Sequence, residues 1–421
     1  MFYLRYESFG CLIFNTLTSK ILVLNKKANK LLIEHLKNNE TPINNKFFND
    51  CNKLGLSSNI NDYIFMNELP FVENSLVAPT TVFFLITNKC NLRCKHCFVS
   101  DSLLNKSYDE LNMDIIKKIV DDIKKSNVFK IIITGGEPFL HKNILDVLEY
   151  INVTSKIPIQ INTNGLLITQ EIIQEFKRRK ILPLHFTISI EGYEEIHDSV
   201  RGKGNFIKVI KAIELLKNNN FEILLNITSK NTIIKNINKI IDLIKKLEIR
   251  RFNFAVLRPT GMTLKHTDEY YNFSLNEYYD FLKKIRNVQK EIGLKEYTEN
   301  LDNALIYEYT GSYCKGGSDS MAIRPDGMVS PCTYMDELWN KLNVKLENIL
   351  DSSLLNIWRT NDAMIKLRNY NNSCKNCEHV DICGTLCPVE SYARGDLHGK
   401  SLYCIKDDPN QKLNEKIRKF L

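Results

Sequence analysis

The sequence predicts an α/β protein whose centre is an open, partial (β/α)6 barrel. Six apolar or β-branched runs of strand length alternate with segments of helical periodicity, and the runs are apolar along nearly their whole length. Such strands are typical of a parallel sheet that is buried on both faces. Polar motifs follow several runs directly, at the strand ends where barrels of this kind carry their chemistry. The chain has 421 residues, which is more than one ordinary domain, so further folded units are expected.

The barrel is expected to occupy residues 80–295. Its six strands are predicted at residues 81–87, 130–134, 158–162, 184–190, 222–228 and 251–257. The helices between them are predicted at residues 109–125, 144–153, 170–180, 207–218 and 233–247, and a last helix is predicted at residues 275–291.

Residues 1–75 have a different pattern and are predicted to form a small separate unit. Three short strands are expected at residues 2–5, 10–14 and 21–24, and a helix at residues 26–36. A strand-rich module of this size, backed by a helix, usually serves as a binding module. No catalytic constellation is visible in it.

Residues 305–405 are rich in cysteine and show little apolar periodicity. A β-hairpin is predicted at residues 321–330, because the Asp326-Gly327 pair suits a turn that needs a positive φ. The rest of this region is expected to have sparse secondary structure and to depend on metal for its order. Residues 406–421 are predicted to form a polar, basic tail with a surface helix.

Charge and hydropathy limit the partners and the compartment. The 57 basic and 49 acidic residues give a net charge of +8, but they are interspersed, which does not favour nucleic acid. The first 20 residues contain Arg5, Glu7 and Gly10 where a signal peptide needs an unbroken apolar core, and no stretch approaches the roughly 18 apolar residues of a membrane span. A cytoplasmic protein without a membrane partner is therefore expected. Its 12 cysteines are then better candidates for metal ligands than for disulfides.

Three cysteines follow the first predicted barrel strand. Cys90, Cys94 and Cys97 have the spacing C-x3-C-x2-C. Three thiolates on one short loop can hold three irons of a [4Fe–4S] cluster and leave the fourth iron open for a substrate or cofactor. The alternatives are a zinc site with His96 as a further ligand, or three reduced cysteines.

This motif resembles the signature of radical S-adenosylmethionine (SAM) enzymes, and the resemblance extends to later strand ends. It implies that SAM binds the open iron and is cleaved to a 5′-deoxyadenosyl radical, which abstracts a hydrogen atom from carbon. Taken alone, the glycine-rich loop would be a turn and the segment around Arg201 a solvated helix end. In this context the two glycines are expected to permit close backbone approach to the ligand, and Arg201 to pair with the SAM carboxylate. The cofactor-binding residues that the resemblance implies are Gly135, Gly136, Glu137, Pro138, Asn164, Ser189, Glu191 (where the family more often has Asp) and Arg201.

Seven further cysteines resemble the SPASM extension of radical SAM enzymes, which holds auxiliary [4Fe–4S] clusters. The resemblance implies three clusters in all. It assigns an outer auxiliary cluster to Cys374, Cys377, Cys383 and Cys404 and an inner one to Cys314, Cys332 and Cys387. The inner cluster is then one ligand short, and only Cys11 and Cys51 are unassigned. A zinc ribbon at residues 374–387 is the alternative.

The N-terminal module resembles the winged-helix recognition element of ribosomal peptide maturases. That resemblance implies that the leader of a precursor peptide adds as an extra strand at the edge of its sheet. The alternative is a structural cap on the barrel.

Together these resemblances predict a radical SAM maturase of a ribosomally made peptide. The open inner iron favours a substrate thiolate and a thioether product of the sactipeptide type, although water or another side chain is the alternative ligand. The expected partners are a cysteine-containing precursor peptide and a reducing donor such as flavodoxin or ferredoxin. The rivals are carbon–carbon cross-linking or side-chain oxidation, including sulfatase maturation, and a noncatalytic iron–sulfur or zinc protein. No general base is singled out.

Overall fold

The structure of the protein is a computed structural model. It describes residues 1–38, 46–72, 75–98, 110–291, 306–308, 314–334, 338–339, 342–370, 374, 377–378, 387–404 and 406–419. Among these residues, no helix combines the length and the apolar character needed to cross a membrane. The predicted cytoplasmic location stays a prediction.

The described residues form fourteen strands and a set of helices around them. The strands are β1 Phe2–Glu7, β2 Gly10–Asn15, β3 Lys20–Asn25, β4 Tyr63–Phe65, β5 Thr81–Leu85, β6 Lys130–Thr134, β7 Ile159–Thr163, β8 His185–Ser189, β9 Ile223–Ser229, β10 Arg251–Val256, β11 Ile306–Glu308, β12 Ser320–Ile323, β13 Met328–Ser330 and β14 Glu347–Asn348. The α-helices are α1 Lys26–Asn38, α2 Lys46–Lys53, α3 Met113–Lys125, α4 Ile144–Glu149, α5 Gln170–Arg178, α6 Glu194–Arg201, α7 Asn205–Asn218, α8 Asn231–Lys235, α9 Ile237–Lys246, α10 Thr267–Tyr270, α11 Leu275–Glu291, α12 Leu354–Thr360, α13 Asp362–Arg368, α14 Pro388–Tyr392 and α15 Leu413–Arg418.

The predicted partial barrel is confirmed. Strands β5 to β10 lie side by side in chain order, and every neighbouring pair is parallel. Their apolar residues are buried because helices cover the sheet, as expected for strands that are apolar throughout. The sheet also continues beyond β5: β12 pairs with β5 in parallel, and β13 and β14 follow. The predicted hairpin is therefore present, and it forms part of the barrel sheet.

Several helices differ from the prediction. The segment predicted as one helix at residues 233–247 is two helices, because Asn236 has φ −114° and ψ 25° between α8 and α9. The helix after β6 stops at Glu149 and continues as a π-helical turn, Tyr150–Thr154. Helix α6, which ends at Arg201, was predicted only as a possible helix end.

The prediction of sparse structure after the hairpin is wrong for residues 353–368. Helices α12 and α13 occupy them and bury Trp358, whose indole N–H donates to the carbonyl of Leu76 at 2.9 Å. Helices of seven residues contain too few turns for their periodicity to stand out in a sequence. The predicted tail helix is present as α15, but its expected place on the surface is wrong, because Leu413 and Ile417 are fully buried.

The N-terminal sheet has the strand order β11-β3-β2-β1-β4. Alternate residues of β2 and β3 face two different hydrophobic cores, as the period of two in a strand requires. Leu12, Phe14 and Val23 belong to the core that is shared with the barrel. The opposite face packs on α1 and α2 in a core of its own. The module limits predicted near residues 75–80 and 295–305 stay predictions.

Arg5 fastens this sheet to the barrel. Its fully buried guanidinium donates to Glu7 at 2.8 Å, to the carbonyls of Pro79 and Ala78 at 2.9 and 3.0 Å, and to the carbonyl of Asn127 at 3.0 Å. Glu7 in turn accepts from the N–H of Val77 at 3.0 Å. One side chain therefore satisfies buried acceptors from three segments of the chain.

We expect Arg5→Met to destabilise the protein by about 3 to 5 kcal/mol, because it leaves a buried carboxylate and three carbonyls without their donor. The midpoint of unfolding in urea measures the effect. Leu17→Ala, in the exposed turn between β2 and β3, is the control and should leave the midpoint unchanged. Equal midpoints for both variants would contradict the role given to Arg5.

Candidate active site

The first group of cysteines lies on the loop that leaves β5. Cys90, Cys94 and Cys97 are all partly exposed, and the loop is held by local bonds. The N–H of Cys97 donates to the carbonyl of Cys94 at 3.0 Å, and the N–H of Leu92 donates to the sulfur of Cys90 at 3.4 Å. Burial raises the pKa of the Cys90 thiol. Three thiols are therefore available within eight residues at the carboxyl end of the first barrel strand.

The glycine-rich loop after β6 packs directly on this cysteine loop. The N–H of Gly136 donates to the carbonyl of Thr87, and that of Glu137 to the carbonyl of Lys89, both at 2.8 Å. A Cβ atom at Gly135 would lie 2.4 Å from the Thr87 oxygen, and one at Gly136 would lie 2.2 Å from the Lys89 oxygen. The close approach that needs glycine is thus an approach to the backbone of the cysteine loop, whereas the sequence suggested an approach to the ligand.

Glu137 links the glycine-rich loop to the end of β7. Its buried carboxylate accepts from the hydroxyl of Thr163 at 2.6 Å and from the N–H of Asn164 at 2.8 Å. Burial raises the pKa of Glu137 to about 7, although these donors oppose the shift. The side chain of Asn164 also donates to Asn91 at 2.8 Å, and Pro138 opens a short 3-10 turn. The ends of the first three barrel strands are therefore joined.

Glu191, just after β8, lies at the centre of a buried group of charges. Its carboxylate is 3.2 Å from Nε2 of His96, 2.8 Å from the guanidinium of Arg201 and 2.6 Å from Nζ of Lys230. Glu191 is 0% exposed and Lys230 is 1% exposed, so neither charge is solvated by bulk water. Burial alone would raise the pKa of Glu191, but His96, Lys230 and Arg201 around it hold it well below its usual range. Burial also lowers the pKa of His96 and of Lys230, and Glu191 opposes both shifts.

The structure brings the predicted Glu191 and Arg201 together, and it adds two residues that the sequence did not assign to this pocket. His96 was predicted only as an alternative zinc ligand. Lys230 was not singled out, although it directly follows β9 and so stands at the edge where the other strand-end residues stand. Ser189 is the last residue of β8 and lies opposite Asn226 of β9 at the same edge.

The inner cysteines lie together in the C-terminal region. Cys314, Cys332 and Cys387 pack against one hydrophobic cluster that contains Trp339 and Val389. Burial raises the pKa of Cys314 and of Cys332 to about 12. Cys387 adds to both shifts, and Cys314 adds to that of Cys332. The structure therefore brings together the three residues that were assigned to one cluster.

The outer cysteines are described only in part. The N–H of Cys377 donates to the carbonyl of Cys374 at 3.0 Å. Burial raises the pKa of Cys404, and Asp407 and Cys374 contribute to the shift. Cys383 lies outside the described residues. The three described members are thus neighbours, and the assignment of all ten cysteines to clusters stays a prediction.

These thiol groups suit iron–sulfur clusters by their chemistry. Each group consists of sulfur donors on loops, which is the donor type that such clusters select. In the part of the chain that the structure describes, no three His, Cys, Asp or Glu side chains converge as the ligands of a single metal ion would. Cluster ligands need not converge, because each binds a different iron atom.

Two segments of the chain match known families. Residues 84–244 match the Radical SAM superfamily, and residues 314–378 match the SPASM family, an iron–sulfur cluster-binding domain. The first segment contains the cysteine loop and the pocket residues, and the second contains four of the seven later cysteines. The prediction of SAM and [4Fe–4S] clusters as cofactors is confirmed at the level of these families.

Relatives that are similar to most of this chain carry names for different activities. The AdoMet-dependent heme synthase of Methanosarcina barkeri is 27% identical over 78% of this chain and 97% of its own length. The cysteine-type anaerobic sulfatase-maturating enzyme of Clostridium novyi is 29% identical over 72% of this chain and 85% of its own. The subtilosin biosynthesis protein AlbA of Bacillus subtilis is 26% identical over 68% of this chain and 63% of its own.

The fold is also similar to that of Streptococcus suis SuiB. The crystal structure of SuiB bound to S-adenosylmethionine has a TM-score of 0.67 to this chain, with 17% identity, and covers 95% of this chain and 97% of SuiB. A second structure holds the precursor peptide SuiA. At this level of identity the similarity concerns the fold.

We expect Glu191→Gln to weaken the binding of SAM by about 10- to 100-fold, as is usual when an outer partner that orients a cofactor-binding site is lost. The reason is that the amide cannot balance the charges of Arg201 and Lys230. Equilibrium binding of SAM to the anaerobic, cluster-loaded protein measures the change. Glu191→Asp should retain part of the affinity, and Glu195→Gln, on the exposed side of α6, should retain all of it. Unchanged affinity in Glu191→Gln would place SAM elsewhere.

The cysteine loop, the strand-end residues and the two matched segments lead to one conclusion. The chain carries a Radical SAM domain at residues 84–244 and an iron–sulfur cluster-binding SPASM domain at residues 314–378.

Proposed function

We propose that this protein is a peptide maturase that joins a cysteine sulfur of a ribosomally made precursor to one of its carbon atoms, as in sactipeptide maturation. The observation that carries the proposal is the inner cysteine set, which has three members. The two unassigned cysteines, Cys11 and Cys51, are buried in the apolar core of the N-terminal sheet. Burial raises the pKa of both thiols. A substrate thiolate is then the natural fourth ligand of the inner cluster.

SAM and its cluster, when bound, supply the 5′-deoxyadenosyl radical, which no side chain can generate. The residues of the chain hold this cofactor and keep water away from it. In the net reaction the substrate carbon would give a hydrogen atom to the 5′-deoxyadenosyl radical, and the substrate sulfur would give up a proton. The one electron that remains would pass to an iron–sulfur cluster as the carbon–sulfur bond forms. The reducing donor, for which flavodoxin or ferredoxin is expected, stays a prediction.

Two aromatic rings mark where the two substrate groups would meet. Phe98 directly follows Cys97, and its ring centroid lies 4.8 Å from that of Tyr334, two residues after Cys332. The rings thus join the cysteine loop of the barrel to the inner cysteine set. A substrate carbon near the first set and a substrate sulfur near the second would lie on either side of this contact.

The similar proteins support a peptide substrate but do not identify the bond that is formed. SuiB, whose fold is similar, has been crystallised with a precursor peptide, and AlbA is a bacteriocin biosynthesis protein. The sulfatase-maturating relative supports the rival reading, side-chain oxidation of a protein. The N-terminal sheet favours a precursor, because a strand-forming module gives a leader peptide a place to bind.

Incubation of the cluster-loaded protein with SAM, dithionite and a cysteine-containing precursor should yield a peptide lighter by two hydrogen atoms whose cysteine no longer reacts with iodoacetamide. The loss follows from carbon–sulfur bond formation, and mass spectrometry with thiol labelling measures it. Replacing Cys90, Cys94 and Cys97 together by Ala should abolish deoxyadenosine formation. A product that retains its free thiol would favour the rivals, and a protein that makes no deoxyadenosine would not be an enzyme of this class.

The leader would bind at the edge of β3. In the structure this edge already carries an antiparallel strand, β11, with Ile306 opposite Leu24 and Glu308 opposite Leu22. The other outer strand of the three-strand unit, β1, pairs with β4. We infer that the leader takes the place of β11, because β11 shows that the β3 edge accepts a strand in this direction. Deleting residues 1–75 is a poor test, because it removes Leu12, Phe14 and Val23 from the barrel core.

The double variant Ile306→Pro/Tyr307→Pro should raise the affinity for the leader about tenfold, because the leader no longer competes with backbone bonds worth about 1 kcal/mol each. Successive N–H groups of a strand point to opposite sides, so one of the two prolines removes the donor that faces β3. Fluorescence anisotropy of a labelled leader measures affinity, and hydrogen exchange at residues 22–24 reports the edge. Leu17→Ala is the control. Unchanged affinity, with exposed amides at residues 22–24, would place the leader elsewhere.

A further inference from the structure

The segment after β10, residues 257–262, lies against the cysteine loop of the barrel and ends in the first turn of a 3-10 helix, Gly261–His266; we call this segment the bridge loop. The N–H of Met262 donates to the carbonyl of Cys97 at 3.1 Å. Gly261 has φ +58°, and a Cβ atom there would lie 2.4 Å from the carbonyl oxygen of Phe98. The bridge loop is therefore fitted closely to the segment that holds the third thiol of the SAM cluster motif.

The same loop also contacts the inner cysteine set. The hydroxyl of Thr260 donates to the carbonyl of Tyr334 at 3.4 Å, and the N–H of Tyr334 donates to the sulfur of Cys332 at 3.5 Å. On its first residue, the carbonyl of Leu257 accepts from the buried hydroxyl of Tyr403 at 3.0 Å. The bridge loop thus joins the barrel to the walls of the inner site.

Arg258 of the bridge loop forms an ion pair with Glu390, three residues after Cys387. Glu390 is fully buried, it accepts from the hydroxyl of Ser401 at 2.6 Å, and its N–H donates to the carbonyl of Cys387 at 3.0 Å. A carboxylate without solvent is costly unless it is paired, so the guanidinium is held at this place. The pair has no role in the SAM pocket, which lies around Glu191.

The charge of Arg258 lies close to the inner cysteines. Its guanidinium pairs with Glu390, whose N–H bonds to the carbonyl of Cys387. Two residues later, Thr260 bonds to Tyr334, whose own N–H bonds to the sulfur of Cys332. A cluster held by three thiolates is anionic, and reduction adds one more negative charge. A cation at its edge therefore favours the reduced form, and a carboxylate behind that cation weakens the effect.

We propose that Arg258 and Glu390 are positioning residues that set the reduction potential of the inner auxiliary cluster at Cys314, Cys332 and Cys387. The inference rests on the assignment of that cluster in the proposed function. Arg258 raises the reduction potential of the cluster. Glu390 lowers it, because its negative charge offsets part of the charge of Arg258. The two halves of one ion pair must then act in opposite directions, which a merely structural pair would not do.

The test is a redox titration of the anaerobic, cluster-loaded enzyme followed by electron paramagnetic resonance. The inner cluster is the signal that Cys332→Ala loses. Arg258→Met should shift its midpoint to more negative potential, Glu390→Gln should shift it to more positive potential, and Arg258→Lys should keep it near the unaltered value. The double variant should lie between the two single ones. The other two signals should not move.

Arg5→Met is the matched control, because it removes a buried, paired arginine far along the chain from these cysteines. It should lower stability and leave all potentials unchanged. Shifts of the same sign in Arg258→Met and Glu390→Gln, or no shift in either, would overturn the proposal. An unmoved potential in an enzyme that still forms its cross-link would do so without affecting the proposed function. If no paramagnetic resonance signal is lost in Cys332→Ala, both the assignment of the inner cluster and this proposal are rejected.

Discussion

The buried carboxylate of Glu191 is the constraint on which the site depends. An unpaired carboxylate without water would cost several kcal/mol, so its three partners must stay in place. They come from three positions in the chain: His96 from the loop after the first barrel strand, Arg201 from the end of α6, and Lys230 from the end of the fifth strand. The contacts of one buried carboxylate thus fix the ends of the first, fourth and fifth barrel strands relative to one another.

The second and third strands are joined to the same edge by neutral contacts. Gly135 and Gly136 bring the second strand end against the backbone of residues 87–89, and Asn164 bonds to Asn91 from the third. The five strand ends are therefore joined to one another around the cysteine loop by contacts among the chain's own residues. This preorganisation is what a radical reaction requires, since the reactive species must be generated where solvent and wrong bonds are excluded.

The residues at this edge could be predicted because a parallel barrel brings its strand ends together whatever the details of its helices. The strands themselves are apolar throughout, and that pattern has few other interpretations. The partners of Glu191 could not all be predicted, because the choice of Lys230 over its neighbours depends on side-chain directions across three strands. The pairing of β12 with β5 could not be predicted either, because it joins residues about 240 positions apart. Nor could the seven-residue helices around Trp358. Here tertiary contact, rather than local pattern, decides the structure.

The N-terminal sheet is fixed to the barrel by packing and hydrogen bonds as well as by the connecting chain. Leu12, Phe14 and Val23 lie in the barrel core, and Arg5 bonds to the segments before β5 and before β6. The β3 edge is also close to the inner site along the chain, since Glu308 of β11 precedes Cys314 by six residues. Six residues span at most about 20 Å. A leader at this edge would therefore begin within a short, fixed reach of the inner cysteines, so that the spacing between leader and modified residue in the precursor would be set by the enzyme's own core.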